Sequence, residues 1–366
     1  MLLMITHISA LTIKDYFKCN DYTCYDHRLL CGYCVIYVWF YSREVFIMLK
    51  SLKFVQGAVA KKDFVAAMTH FKIEGGFVRS FNGQMALNSP IPFNIDCTPN
   101  ASQLVKAISN CNETVVLSMT PTGRLKVQSG AFKAFVDCLE GETPHVLPEG
   151  ETFVEFNGEQ LIKAFETLLP FVGNDASRPW SNGILIDKES AFATNNVCLV
   201  EYWFGSPFPF PINVPLSAIK EMLRIKEYPT HAQMNDNSIT FHYSGERWLR
   251  TQLFSTDWPD LQRILNVENI NPVEIHEDLF VGVETIKPFV DKMGRIFLED
   301  GKVFTHQDSE AGASYSISDH NVKGVYNIEM LHLLKGVANK ADFTKYPAPC
   351  PFFGERLRGV IIGMKL

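Results

Sequence analysis

The sequence lacks the motifs that mark familiar enzymes. It has no glycine-rich phosphate loop, no HExxH, no GxSxG and no paired CxxC with metal-binding spacing. It therefore offers no catalytic constellation, and neither a metal nor an organic cofactor is expected. It also lacks a membrane-spanning run. Its longest apolar stretch, LLCGYCVIYVWFY, falls short of the roughly 20 residues a spanning helix needs, and it carries no signal-peptide cleavage pattern. No membrane partner is expected. Positive charge is not in excess either. The 34 Lys and Arg are outnumbered by 40 Asp and Glu, a formal net charge of −6. Whole-chain charge thus argues weakly against nucleic-acid binding, although the distribution of charge matters more than its sum. With 46% hydrophobic and 20% charged residues among 366, the composition is globular, with length for two or three cores.

What is present is one segment order met three times after residue 48. Each copy has a helical stretch, paired strands, a polar start with a second helical stretch, and closing strands. The later half shows it best. Copy one reads NIDCTPNASQLVKAIS then ETVVLSMTPTGRLKVQSGAFKAFVDCL; copy two PINVPLSAIKEMLRI then THAQMNDNSITFHYSGERWLRTQLF; copy three VYNIEMLHLLKGVA then ERLRGVIIGMKL. Repetition at about 100 residues implies duplicated domains, not one catalytic core. In copy one, Leu49, Leu52, Phe54 and Val55 share a side of a short helix, and KDFVAAMTHFKIEGGFVRSFNGQMALNS reads as strands with turns at Gly75-Gly76 and Asn82-Gly83. The Pro- and Gly-bearing stretch from Thr143 to Gly150 and the segment DWPDLQRILNVENINP read as linkers. Domains are expected at 48–147, 148–268 and 269–366.

Residues 1–47 differ from the rest. Four of the nine cysteines (Cys19, Cys24, Cys31, Cys34) fall here, with His7 and His27, but without zinc-site spacing. We expect an atypical extension outside the fold, with Met48 as the natural start. The other cysteines lie in apolar or strand-like segments and read as buried free thiols of a reducing compartment.

Every expected helix carries lysine: Lys50 and Lys53; Lys106; Lys163; Lys220 with Arg224 and Lys226; Lys287 with Lys292; Lys335 with Lys340. Cations recurring on equivalent elements suit phosphate neutralisation without base reading. Solvated helix faces explain them as well, since Glu159, Glu166, Glu221 and Glu284 share those helices. The histidines after residue 48 (His70, His145, His231, His242, His276, His306, His320, His332) are isolated. The apolar C-terminus GVIIGMKL reads as an edge strand, or as one wall of a docking groove for partner peptides.

At four places the chain resembles the bacterial-type sliding clamp, the β subunit of the replicative DNA polymerase, in a bacteriophage version. SRPWSNGILI is similar to the family's arginine, aromatic and Asn-Gly segment. AFATNNVCL is similar to its Ala-Thr-Asp-Gly-His-Arg-Leu stretch, TQLFSTDWPDLQRIL to its strand with Phe-Pro-Asp-Tyr and arginine, and VIIGMKL to its closing Val-Met-Pro-Met-Arg-Leu. The resemblance spans Met48 to Leu366. It implies an α+β fold of three repeated DNA-clamp domains, helices on one face of antiparallel sheets, forming half of a closed ring. Two chains would close head to tail around duplex DNA and tether a polymerase for processive synthesis, without enzymatic activity, in the cytoplasm of a bacterium or an infected bacterial host.

The resemblance further implies DNA contacts from Lys50, Lys53, Lys106, Lys163, Arg178, Trp180, Lys220, Arg224, Lys287 and Lys335. It implies a pocket for short peptide motifs of the polymerase and clamp loader at Thr194, Asn196, Val197, Cys198, Leu199, Pro259, Arg263, Ile264, Val360, Ile362, Gly363, Met364, Lys365 and Leu366. Asn195-Asn196-Val197-Cys198 replaces the family's Asp-Gly-His-Arg, Gly363 replaces a proline, and Pro179 an aromatic. The alternative class is a structural or assembly protein built from duplicated β-rich domains.

Overall fold

The computed structural model describes residues 32–61, 65–141, 143–308, 310–318 and 322–365, and only the helical backbone of residues 32–43. Cys19, Cys24, Cys31, His7, His27, His320 and Leu366 lie outside the described residues. The chain builds six units of one plan, a helix followed by three strands, two units per domain, and in the four units of domains two and three a further strand leads into the helix. Domain one holds α1 (Gly32–Val55), β1 (Lys72–Glu74), β2 (Phe77–Phe81) and β3 (Met85–Pro90). Its second unit holds α2 (Ala101–Ser109), β4 (Val116–Met119), β5 (Leu125–Ser129) and β6 (Phe132–Val136). Domain two opens with β7 (Thr152–Glu155), α3 (Gly158–Leu168), β8 (Gly183–Asp187), β9 (Ser190–Thr194) and β10 (Cys198–Trp203). It continues with β11 (Ile212–Pro215), α4 (Leu216–Ile225), β12 (His231–Met234), β13 (Ser238–Tyr243) and β14 (Arg247–Gln252). A short linker helix α5 (Leu261–Leu265) leads to domain three: β15 (Val273–Glu274), α6 (Glu277–Ile286), β16 (Arg295–Glu299), β17 (Lys302–Phe304) and β18 (Ser314–Ser316). The last unit is β19 (Gly324–Asn327), α7 (Ile328–His332), β20 (Lys340–Ala341), β21 (Cys350–Gly354) and β22 (Leu357–Ile361).

All strand pairs are antiparallel, and two sheets run across domain borders. A 7-stranded sheet, β1-β2-β3-β14-β13-β12-β7, joins domains one and two. An 8-stranded sheet, β11-β8-β9-β10-β22-β21-β20-β15, joins domains two and three. The end sheets, β4-β5-β6 and β18-β17-β16-β19, belong to one domain each. This is the α+β arrangement expected.

The helices pair as α1–α2, α3–α4 and α6–α7, and their apolar spacing repeats. Met48, Leu52 and Val55 are buried on α1, Leu161, Phe165 and Leu168 on α3, and Leu279, Val283 and Ile286 on α6. Each set follows i, i+4, i+7, the stripe that faces a core. Burying each such side chain contributes about 1.5–3 kcal/mol. Asparagine caps recur too: Asn100 accepts from the Gln103 N–H, Asn157 from Gln160 and Asn327 from Met330.

Several local expectations differ. The first helix is not short, because its backbone continues upstream of Met48 to Gly32, and Val45 already packs on the core. Ala66–Thr69 is a 3₁₀ turn, not strand, where the Thr69 hydroxyl donates to the Ala66 carbonyl at 2.8 Å. The seventh helix stops after His332; the turns that follow end at Gly336, in a left-handed conformation (φ +78°) that favours glycine.

Candidate functional site: an apolar cleft and the helix cations

The cleft follows from strand periodicity. Side chains alternate across a sheet, so β8, β9, β10 and β22 present two faces. Ile184, Ile186, Ala193 and Val200 join the main core. Leu185, Phe192, Leu199 and Val360 form a second, separate cluster with Leu265, packed by Trp258, Leu261, Ile264 and Val267. Leu185 pairs with Phe192, and Leu199 with Val360 across the domain border. The linker helix α5 covers part of this face. Asp260 caps it, accepting from the Arg263 N–H at 3.1 Å, and Arg358 on β22 pins it by donating to Asn266 and Gln262 at 3.0 and 2.9 Å.

The uncovered part is a cavity of about 390 Å³ lined by Arg178, Trp180, Thr194, Asn196, Val197, Cys198, Leu199, Pro259, Leu261, Ile264, Val360 and Ile362. A groove of about 460 Å³ adjoins it through Pro259 and Ile264 and adds Arg263 and Val267. Its rim is a rigid hairpin turn. The Asn195 side chain accepts from the Val197 and Cys198 N–H groups, and the Thr194 hydroxyl donates to the Cys198 carbonyl at 2.8 Å. Asn196 adopts φ +70°, a conformation asparagine tolerates. Burial pushes the Cys198 thiol up to about 12, so it is an inert wall, not a nucleophile. An apolar floor with a few fixed polar groups suits apolar side chains of a partner.

Of the expected pocket residues, Thr194, Asn196, Val197, Cys198, Leu199, Pro259, Ile264, Val360 and Ile362 converge here. Arg263 lies in the adjoining groove. Met364 is not in the cleft wall; its N–H donates to the Val325 carbonyl and its carbonyl accepts from the Tyr346 hydroxyl. Arg178 and Trp180, which the resemblance implies at DNA, line the cleft. Arg178 donates to Asn196 at 2.7 Å, and Trp180 packs on Trp258 at 5.0 Å between ring centroids. Sequence reading missed Leu261, Trp258 and Leu185. The apolar alternation of ILID and AFAT signalled a second buried face.

The helix cations are exposed but unequal. Lys53, Lys106, Lys163 and Lys220 are exposed and have no ion pair among the described residues. Lys50 pairs with Glu227, Lys287 with Glu329 and Lys335 with Glu284. Arg224 binds Glu221 and the Phe54 carbonyl. Lys287 follows α6 and Lys335 follows α7, so neither is within a helix proper. A larger cavity of about 620 Å³ in domain one has mixed walls, including Lys72, Glu74, Asp96, Cys97, Met119 and Cys138. Burial, with the neighbouring Cys138, pushes the Cys97 thiol up to about 12. Among the described residues no group of three or more His, Cys, Asp or Glu is placed to hold a metal, and no helix is long and apolar enough to cross a membrane.

No protein-family model matches the chain, and no curated protein matches it. Solved structures do. The β sliding clamp of Caulobacter crescentus is similar over 88% of this chain and 98% of its own, with 17% identity and a TM-score of 0.76. The Bacillus subtilis DNA polymerase sliding clamp has 12% identity, the same coverage and the same TM-score. The Pseudomonas aeruginosa clamp, solved with griselimycin bound, has 15% identity over 88% and 98% of the two chains and a TM-score of 0.75. The fold is that of the bacterial polymerase III β sliding clamps. These relatives in fold are bacterial, and lend no support to a bacteriophage origin.

Proposed function

We propose that the chain is a DNA sliding clamp, a non-enzymatic ring that holds a polymerase on duplex DNA. The observation that carries this is the repeated joint between domains. At both internal joints, the last strand of a domain's first unit pairs with the last strand of the next domain's second unit, β3 on β14 and β10 on β22. Applied once more, the rule sets β18 of one chain against β6 of a second. Both are edge strands of the end sheets. Large apolar side chains are exposed in both end domains, Phe135 on β6 and Phe289 and Met293 in domain three, as a buried dimer contact requires. Two chains then close a ring of six domains.

Retention in such a ring is topological. Lys53, Lys106, Lys163 and Lys220 on helix surfaces supply enough charge to hold phosphates through water without stopping sliding, and the acidic remainder of the chain is no obstacle. The cleft receives a short segment of the polymerase or loader with apolar anchors, and Arg178 and Arg263 at its rim suit an acidic group.

Light scattering and imaging test the ring: a dimer with a central hole supports it, a compact monomer refutes it. Retention on nicked circular DNA, lost on linearisation, tests the topology. Replacing Lys53, Lys106, Lys163 and Lys220 together should reduce retention; unchanged retention would remove the helices from the hole.

A further inference from the structure

The first helices of the three domains align residue for residue. Met48, Leu161 and Leu279 are equivalent buried positions, as are Leu52, Phe165 and Val283, and Val55, Leu168 and Ile286. The exposed positions between them do not keep their charge. Lys50 and Lys163 are matched by Val281, and Lys53 is matched by Glu166 and Glu284, all of them exposed. The second helices follow the same trend. α2 carries Lys106 as its one charged residue, α4 sets Lys220 and Arg224 against Glu221, and α7 carries Glu329 with no lysine or arginine. The helix pairs thus pass from cationic in domain one to acidic in domain three, where α6 holds Glu277, Asp278 and Glu284. Domain two is balanced, since α3 sets Lys163 against Glu159 and Glu166.

The two lysines next to the helices of domain three do not reverse this. Each lies just beyond the end of one helix and reaches the other, Lys287 to Glu329 at 2.8 Å and Lys335 to Glu284 at 2.7 Å. The Lys335 hydrogen bond, and then its charge, hold the Glu284 carboxyl below its ordinary range. Among the described residues no ion pair joins α1 to α2 or α3 to α4. A lysine already beside a carboxylate has little charge left for a phosphate, and an added acid repels one.

We propose that the grip on the duplex is asymmetric: the helices of domains one and two hold the phosphates, while those of domain three stand off, their lysines engaged by their own acids. The inference rests on the clamp reading and adds to it which domains touch DNA. In a ring of six domains the two first domains lie opposite each other, so the duplex is gripped from two sides and faces an acidic arc between them. Fewer phosphate contacts leave the ring freer to slide. The alignment also separates charge from fold. The buried stripe is kept in all three helices, so the exchange of Lys53 for Glu284 alters the exposed face alone.

Fluorescence polarisation of the full chain on a short labelled duplex, across a series of KCl concentrations, tests it. Lys53→Ala with Lys106→Ala should flatten the plot of log affinity against log salt by about 0.9 per lysine, while Lys287→Ala with Lys335→Ala should leave its slope unchanged. Glu284→Gln with Glu329→Gln frees both domain-three lysines and should strengthen binding about twofold or more. Glu155→Gln with Glu299→Gln makes the same change of charge on exposed strand positions that alternate with the buried Val154 and Leu298, and should not. Equal slope losses from the two lysine pairs, or equal gains from the two acid pairs, overturn the asymmetry and leave the clamp reading standing. Absence of duplex binding by the unaltered chain at low salt overturns the clamp reading itself, and this inference with it.

Discussion

The two inner joints share one backbone solution and differ in what fills the sides. Between domains two and three, the face of the sheet away from the helices is apolar, covered partly by α5 and otherwise open as the cleft. Between domains one and two, the helix side is tied by charge. Glu221 is buried and clasped by Arg224, which also donates to the Phe54 carbonyl at 2.9 Å. Glu227 accepts from Arg247 and pairs with Lys50 at 2.9 Å, and Arg247 lies over the Phe54 ring. Gly57 lets the helices approach, since a Cβ there would stand 1.8 Å from the Glu221 carboxylate. The facing linker is pinned where Arg250 reaches Glu149. A continuous sheet therefore suffices to join domains. The side chains around it decide whether a joint is a fixed clasp or a receptor.

The clasp is the easier to break. Arg224→Ala leaves Glu221 buried and unpaired, which should cost about 3 kcal/mol by urea unfolding. Adding Glu221→Gln should recover much of that. If the double variant is no more stable than the single, charge does not hold this joint.

The receptor joint should respond differently. Leu261→Ala with Ile264→Ala removes half-buried cleft walls, so the fold should persist. Affinity for a short peptide with Leu or Phe anchors should fall at least tenfold, about 1.4 kcal/mol, as read by fluorescence polarisation. A matching loss on replacing Lys53 and Lys163 would mean that the peptide binds elsewhere.

This contrast explains what could be read in advance. The threefold order, the antiparallel turns at Asn82-Gly83 and the helix caps are local chemistry, legible from neighbouring residues. The cleft was legible in part, because the apolar C-terminus reads as one wall of a groove and AFATNNVCL resembles the clamp family's segment there. Leu261 and Trp258 were not: α5 sits in what composition marks as a linker, and only its docking on Leu185, Phe192 and Val360 makes it a wall. Trp180 was assigned to DNA by its place in the resemblance alone, and its packing on Trp258 at the cleft joins residues far apart in the chain. The lysines were legible as positions. Their ion pairs with Glu227, Glu329 and Glu284 join residues far apart in the chain.

A smaller effect distinguishes the sheet of the first joint by pH. His242 on β13 stacks on His231 on β12, 4.5 Å apart. Burial, and then the His231 charge, hold His242 down at about 4. The unfolded ring binds its proton near 6.5, so the folded state loses stability as pH falls from 6.5 towards 4. Discounting for a half-buried ring, the loss is about 1–2 kcal/mol. His242→Phe should flatten that limb of a stability–pH curve; an unchanged limb would assign it to other groups.

The smallest expected effect separates the two halves of the clasp. The Lys50–Glu227 pair is exposed on the lysine side, so Lys50→Ala should cost less than about 1 kcal/mol and nothing measurable in high salt. Its value lies in a second reading. The Arg247 hydrogen bonds, and then Lys50, hold the Glu227 carboxyl at about 2 against an ordinary 4.5. Its contribution is therefore complete above 4.5 and is lost as pH falls towards 2, below the histidine window. Lys50→Ala should shift that acid limb upward only slightly, because Arg247 supplies the larger share. Arg247→Ala should shift it far more. If Lys50→Ala moves the limb as much as Arg247→Ala, the cation from domain one carries the clasp, and the joint is held across the domain border instead of within domain two.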